Sequence, residues 1–198
     1  MTAFWRSRTQ IRTAMRIAVY PGSFDPLHTG HLAVMESLNR DGRFDGVYLI
    51  ISPQNPFKDP SKALSAERRY RDAVEAVGRH PQLRVRVEDI ELHMEPPHYT
   101  IRTLDALRLR EPGNEFTLVM GADNLERILE WRESERLLRE YGVAVYPREG
   151  FDAEALRDAL LKLGPYRIEL IDAPLVNISS TRIRNGIAAG EDMSAWLM

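Results

Sequence analysis

Two histidines three residues apart, His28 and His31, are the side chains in this sequence best placed by type and spacing to do chemistry. They close the run Tyr20-Pro21-Gly22-Ser23-Phe24-Asp25-Pro26-Leu27-His28-Thr29-Gly30-His31. An imidazole donates a hydrogen bond whether neutral or protonated, so two of them facing one point suit a phosphate oxygen. Gly22 allows close backbone approach in the turn that Ser23 and Phe24 continue, and Gly30 allows it again beside His31. The run is not the Gly-x-Gly-x-x-Gly fingerprint, and no Gly-Lys-Ser/Thr follows as a Walker loop requires. The plainer alternative is one histidine capping a helix and one solvated. A His-x-Gly-His cluster between a strand and a helix argues for function instead, because polar constellations on such loops usually carry it.

A second constellation stands near the other end of the chain, Ile178-Ser179-Ser180-Thr181-Arg182-Ile183-Arg184. Ser179 or Ser180 caps a helix that Ile183 and Ile187 help to pack. The free N–H groups, the hydroxyls and an arginine then form an anion clamp. A capped helix with arginines is common by itself. Its weight comes from the pairing with the histidine run, from which it is expected to lie at the opposite end of the sheet.

The elements around these residues follow from periodicity. Ile17-Ala18-Val19-Tyr20 reads as a buried strand, and Leu32, Met35 and Leu38 as the stripe of a helix whose positive end His31 opens. Val47–Ile51 is a second strand, followed by a proline-stiffened loop, 52–60, with Asn55 and Lys58. Lys58 reaches a phosphate from there or is an ordinary solvated lysine. Ser65 caps a helix burying Tyr70, Ala73, Val74 and Val77. Leu83, Val85 and Val87 alternate with Arg84, Arg86 and Glu88, as in a half-exposed strand near an edge.

After the turn at Pro96-Pro97-His98-Tyr99, Thr100 is an acceptable N-cap for a helix with Ile101, Leu104 and Leu107. The strand Phe116–Met120 breaks at Gly121-Ala122-Asp123-Asn124, where Asp123 either caps the next helix or binds a ligand. Trp131 follows, then a helix at Leu137-Leu138 closed by Gly142, a strand 143–146, a helix 155–163 and a strand near 168–171. This alternation predicts an α/β fold, a single Rossmann-like doubly wound parallel sheet with helices on both faces.

Bulk properties narrow the class. A chain of 198 residues, 43% hydrophobic and 28% charged, suits one ordinary globular domain. Zero cysteines exclude disulfide and thiolate chemistry and fit a reducing, cytoplasmic setting. No apolar run reaches membrane-spanning length. A net charge of −2 argues against a general nucleic-acid coat. Arg6, Arg8, Arg12 and Arg16 leave the first sixteen residues basic and free of acid. Residues 1–15 are therefore read as a non-catalytic basic extension (a transit peptide, an arm packed on the surface, or residues upstream of a start at Met15). Residues 16–198 are read as the domain proper.

The Gly-Ser-Phe-Asp-Pro-x-His-x-Gly-His run resembles the nucleotidyltransferase superfamily with a His-x-Gly-His signature, in particular its nicotinate-nucleotide adenylyltransferase branch. The likeness spans the chain from about Met15 onward. It implies the nucleotidyltransferase fold and transfer of an adenylyl group from ATP to nicotinate mononucleotide, giving nicotinate adenine dinucleotide and pyrophosphate. It implies His28, His31, Lys58 and Arg184 as catalytic residues. ATP would be held by Gly22, Ser23, Phe24, Gly30, Gly121, Asp123, Ile178, Ser179, Ser180 and Thr181, with Mg²⁺ bound mainly through the phosphates. The nicotinate nucleotide would be held by Asn55, Tyr99, Thr100 and Trp131, the last by stacking. His98 stands where the family commonly has serine, a departure at that pocket. The alternatives are an enzyme of the same superfamily acting on nicotinamide mononucleotide or another phosphate-bearing acceptor, such as the phosphopantetheine branch, and a non-catalytic nucleotide-binding protein. A class I synthetase-like RNA binder would need a Lys-Met-Ser-Lys-Ser loop, which is missing.

Overall fold

A computed structural model describes residues 14–53 and 65–198. Six strands form one parallel sheet: β1 (Arg16–Gly22), β2 (Gly46–Ile51), β3 (Val85–Glu88), β4 (Glu115–Gly121), β5 (Val143–Tyr146) and β6 (Ile168–Leu170). Their spatial order is β3-β2-β1-β4-β5-β6. The helices are α1 (Thr29–Arg40), α2 (Ala66–Gly78), α3 (Thr100–Arg110), the single turn α4 (Ala122–Leu125), α5 (Ser134–Glu140), α6 (Ala153–Leu161) and α7 (Ser180–Ala188). Asn55, Lys58 and residues 1–13 lie outside the described residues.

The central strand has a neighbour on each side, with Val19 beside Tyr48 of β2 and Leu118 of β4. Its side chains alternate between two cores. Ile17 and Val19 pack with Ile101, Leu104 and Leu107 of α3, and Ala18 and Tyr20 pack with Met35 and Leu38 of α1. Burial on both faces is why these strands read as continuous apolar runs. From β1 the chain winds one way to β2 and β3, then returns to place β4 on the other side. That reversal opens a crevice at the carboxyl ends of β1 and β4, the position where such sheets bind ligands.

Four expectations need correction. The second motif does not lie at the opposite end from the histidine run: Ser180 Oγ donates to the Pro26 carbonyl at 3.1 Å, so α7 packs directly on the turn after β1. Thr100 is the first residue of α3 and Tyr99 its N-cap, with no side chain capping. Helix α2 buries Arg69 and leaves Val74 45% exposed, because the Arg69 guanidinium is satisfied by loop carbonyls. Glu88 is also buried, despite its place in an alternating edge strand, because Arg110 holds both its oxygens at 2.8 Å.

Candidate active site

At the end of β1 the chain must turn sharply to start α1. Phe24 adopts a left-handed backbone with φ 43° and buries its ring where a side chain on Gly22 would sit, 2.8 Å from the ring carbon Cζ. His28 is the N-cap of α1, with extended φ −147°. Its backbone N–H donates to Nδ1 of His31 at 3.2 Å. With Nδ1 accepting, the ring proton of His31 sits on Nε2, which leaves that nitrogen as a donor. The two imidazoles stack with centroids 3.6 Å apart. Burial, followed by the charge of Arg148, pushes the His28 imidazole down to about 4. It is therefore neutral at ordinary pH. A Cβ on Gly30 would fall 3.1 Å from Nδ1 and Cε1 of His28. Gly30 thus makes room for the His28 ring.

A second group is gathered by β4 and β5. Asp123 Oδ1 faces Arg148 Nε at 3.4 Å, across the space that a side chain on Gly121 would fill. Arg148 also donates from Nη2 to the Tyr146 hydroxyl at 3.3 Å and lies over the Tyr146 ring. Tyr146 meets Tyr20 edge-on. Asp123 sits in the first turn of α4 and makes no cap hydrogen bond.

The third group is the start of α7. Ser179 is its N-cap, accepting from the Arg182 N–H at 3.2 Å. Arg184 donates from Nη1 to the Asp25 carbonyl at 2.5 Å and from Nη2 to Thr181 Oγ1 at 3.1 Å. Arg182 pairs with Glu191 at 2.7 Å. Leu197 forms a backbone bridge with His28, so the end of the chain also returns to this turn.

The groups meet around a cavity of about 860 Å³ at the carboxyl ends of β1, β4 and β5. Of the residues singled out from sequence, His28, Gly30, His31, Asp123, Ile178 and Ser179 line it. Gly22, Ser23, Phe24, Gly121, Ser180, Thr181 and Arg184 lie behind that lining, in the turns and the helix that shape it. Tyr99, Thr100 and Trp131 are outside this cavity. Tyr99 is 45% exposed, and Trp131 is half-buried against the α3-side core.

Sequence reasoning missed Arg148, Tyr146 and Tyr20 as cavity residues, although a position just past a parallel strand was the available signal. Among the described residues, buried side-chain atoms without a hydrogen-bond partner are His28 Nδ1, Thr29 Oγ1, Asp123 Oδ1, Arg148 Nε and His98 Nδ1. Of these, His28 Nδ1 belongs to a residue lining the cavity, as do Asp123 Oδ1 and Arg148 Nε, which face each other as an ion pair at 3.4 Å. Buried polar atoms are nearly always hydrogen-bonded, so these atoms at the cavity are where a ligand would supply hydrogen-bond partners. The described residues include no group of three His or acidic side chains able to hold a metal ion.

A model of the cytidylyltransferase-like family matches residues 19–186. The chain is 35% identical over 183 residues to a probable nicotinate-nucleotide adenylyltransferase of Flavobacterium johnsoniae, covering 92% of each chain. It is 37% identical over 182 residues to one from Bacteroides fragilis, covering 92% of this chain and 87% of that one. In structure it is similar to Plasmodium falciparum nicotinic acid mononucleotide adenylyltransferase complexed with NaAD, with a TM-score of 0.76 and 22% identity over 91% of this chain and 87% of that one. That likeness in structure concerns the fold, whereas the family match and the two relatives extend over most of the sequence. On that ground the chain belongs to the cytidylyltransferase-like family, as a member of its nicotinate-nucleotide adenylyltransferase group.

Proposed function

We propose that the protein transfers the adenylyl group of ATP to nicotinate mononucleotide, forming nicotinate adenine dinucleotide and pyrophosphate in NAD biosynthesis. The observation that carries the site is that His28, His31, the Asp123–Arg148 pair, Ser179 and Arg182 line one cavity of nucleotide size. Family membership supplies the reaction class.

The chemistry is an in-line displacement at the α-phosphorus. An oxygen of the acceptor's 5′-phosphate forms the new P–O bond while the bond to the bridging oxygen of the β-phosphate breaks. The electron pair leaves on pyrophosphate, and no covalent enzyme intermediate is needed. Catalysis is then positioning and charge stabilisation. His31 offers Nε2–H, and neutral His28 offers one N–H, both at the positive end of α1. The start of α7 and Arg182 face the same cavity and suit the departing phosphates. Asp123 suits a ribose hydroxyl, and Arg148 balances its charge.

The polar side chains lining the cavity are two imidazoles, two arginines, three hydroxyls, Asn177 and the carboxylates of Asp123 and Glu149, the first of them matched by Arg148, with no group of three metal-ligating side chains among the described residues. That set fits phosphate oxygens better than a dication. Mg²⁺ would therefore arrive with the nucleotide, ligated by phosphates and water, and offset the triphosphate charge. Tyr99, Thr100 and Trp131, with Asn55, are assigned to the acceptor side, and Lys58 to the phosphates undergoing reaction. No helix among the described residues is long and apolar enough to cross a membrane. The absence of cysteine favours the cytoplasm.

The test is pyrophosphate release with Mg-ATP, comparing nicotinate mononucleotide with the nicotinamide form. Faster turnover on the nicotinate form supports the reading. Equal rates would remove the acceptor preference, and no release with either would overturn the function.

A further inference from the structure

Arg69 on α2 is 3% exposed, and its guanidinium donates to three loop carbonyls. Nη1 donates to Ser23, in the turn after β1. Nη2 donates to Ser52 at 2.9 Å and to Pro53 at 3.0 Å, just past β2. The nearby carboxylate of Asp25, itself buried, supports the arginine's charge. Burying a guanidinium is costly unless its donors are met by fixed acceptors, and these three carbonyls meet that need.

The same turn shows a consistent pattern. The Gly22 carbonyl accepts the Ser52 N–H at 2.9 Å. The Asp25 carbonyl accepts Arg184, and the Pro26 carbonyl accepts Ser180. A turn that meets an anion must keep its carbonyl dipoles away from the ligand, since an oxygen aimed at a phosphate repels it. Ser180 and Arg184 belong to the second motif, but Arg69 comes from a helix that carries neither motif. It also joins two strand ends, because the Ser23 and Ser52–Pro53 carbonyls converge on one guanidinium.

We propose that Arg69 is a positioning residue for the reaction: it holds the Ser23 carbonyl away from the phosphate site and locks the turn after β1 to the end of β2. This rests on the reading of that turn as the nucleotide-phosphate site. Arg69 does not line the cavity and acts through the backbone it orders.

The test compares Arg69→Lys and Arg69→Met with Val77→Ala, a control that removes buried volume from the same helix without touching either loop. Melting temperature, kcat, and KM for Mg-ATP and for the acceptor are measured, with kinetics run well below each transition. A displacement of about an ångström near reacting atoms costs on the order of 100-fold. Arg69→Lys is therefore expected to lose roughly 10- to 100-fold in kcat/KM, mostly in kcat, while Val77→Ala keeps both constants at a similar loss of melting temperature. If Arg69→Met fails to fold, Arg69→Lys decides alone. Wild-type constants in a folded Arg69 variant would overturn the proposal, and so would an equal loss in Val77→Ala. If the unmodified protein releases no pyrophosphate, the functional reading has failed separately. The positioning role is then read from Mg-ATP affinity by calorimetry, with weakening of roughly 10-fold in Arg69→Lys and none in Val77→Ala supporting it, and equal affinities overturning it.

Discussion

The backbone N–H of His28 donates to Nδ1 of His31 at 3.2 Å while the two rings stack 3.6 Å apart. One contact thus sets the helix start, the tautomer of His31 and the direction of its remaining donor. It follows that His31→Ala should lose on the order of 10²–10³ in the rate of pyrophosphate release, the usual cost of one preorganised donor at developing charge. His31→Asn, which keeps a short side-chain acceptor for the His28 N–H, should hold the melting temperature closer to wild type but not the rate. Thermal unfolding measured beside kinetics separates the two roles.

His28 gives a pH dependence with a definite sign. Its folded value lies near 4, below the ordinary 6.5, because the ring is buried and Arg148 is near. Between those values the unfolded chain takes up a proton that the folded chain refuses. Stability therefore rises with pH through this window and falls as pH drops from about 6.5 toward 4. Urea unfolding at pH 4.5 and pH 7 should show this difference in the wild type and a smaller one in His28→Asn.

Gly30→Ala should separate activity from stability. Alanine suits the first turn of α1 better than glycine by up to about 1 kcal/mol. Its Cβ, however, would press on Nδ1 and Cε1 of His28 at 3.1 Å and on Ile178 at 3.4 Å. The expected outcome is a protein at least nearly as stable as wild type by denaturant titration, with kcat lowered roughly 10- to 100-fold by the shifted ring.

Arg182 and Glu191 are both about half exposed, and a pair of that kind is worth about 0–1 kcal/mol. Glu191 competes with an incoming phosphate for the arginine. Glu191→Gln should therefore tighten Mg-ATP binding by about 2- to 5-fold. Arg182→Gln should weaken it, and Glu191→Gln added to Arg182→Gln should do little. Calorimetric titration of the four forms checks the cycle.

The alternation of apolar runs with helical stripes was enough to place β1, β2, β4 and β5 and most helices, because burial on both faces leaves the same mark on every central strand. The His-x-Gly-His spacing likewise determined the local partnership of His28 and His31, since an N-cap and the residue three positions on are neighbours in any helix. What lies far apart in sequence was decided only by the tertiary structure. No local pattern says that Ser180 reaches Pro26 or that Arg184 turns to Asp25 and leaves Arg182 to line the cavity beside Arg148. Nor does any local pattern say that Arg148 crosses to Asp123 over the bare Cα of Gly121, or that Arg69 occupies a place that periodicity assigns to apolar residues. Local residue types set which elements form and where they cap, whereas a polar side chain's partner depends on which distant carbonyls the packed sheet brings within its reach.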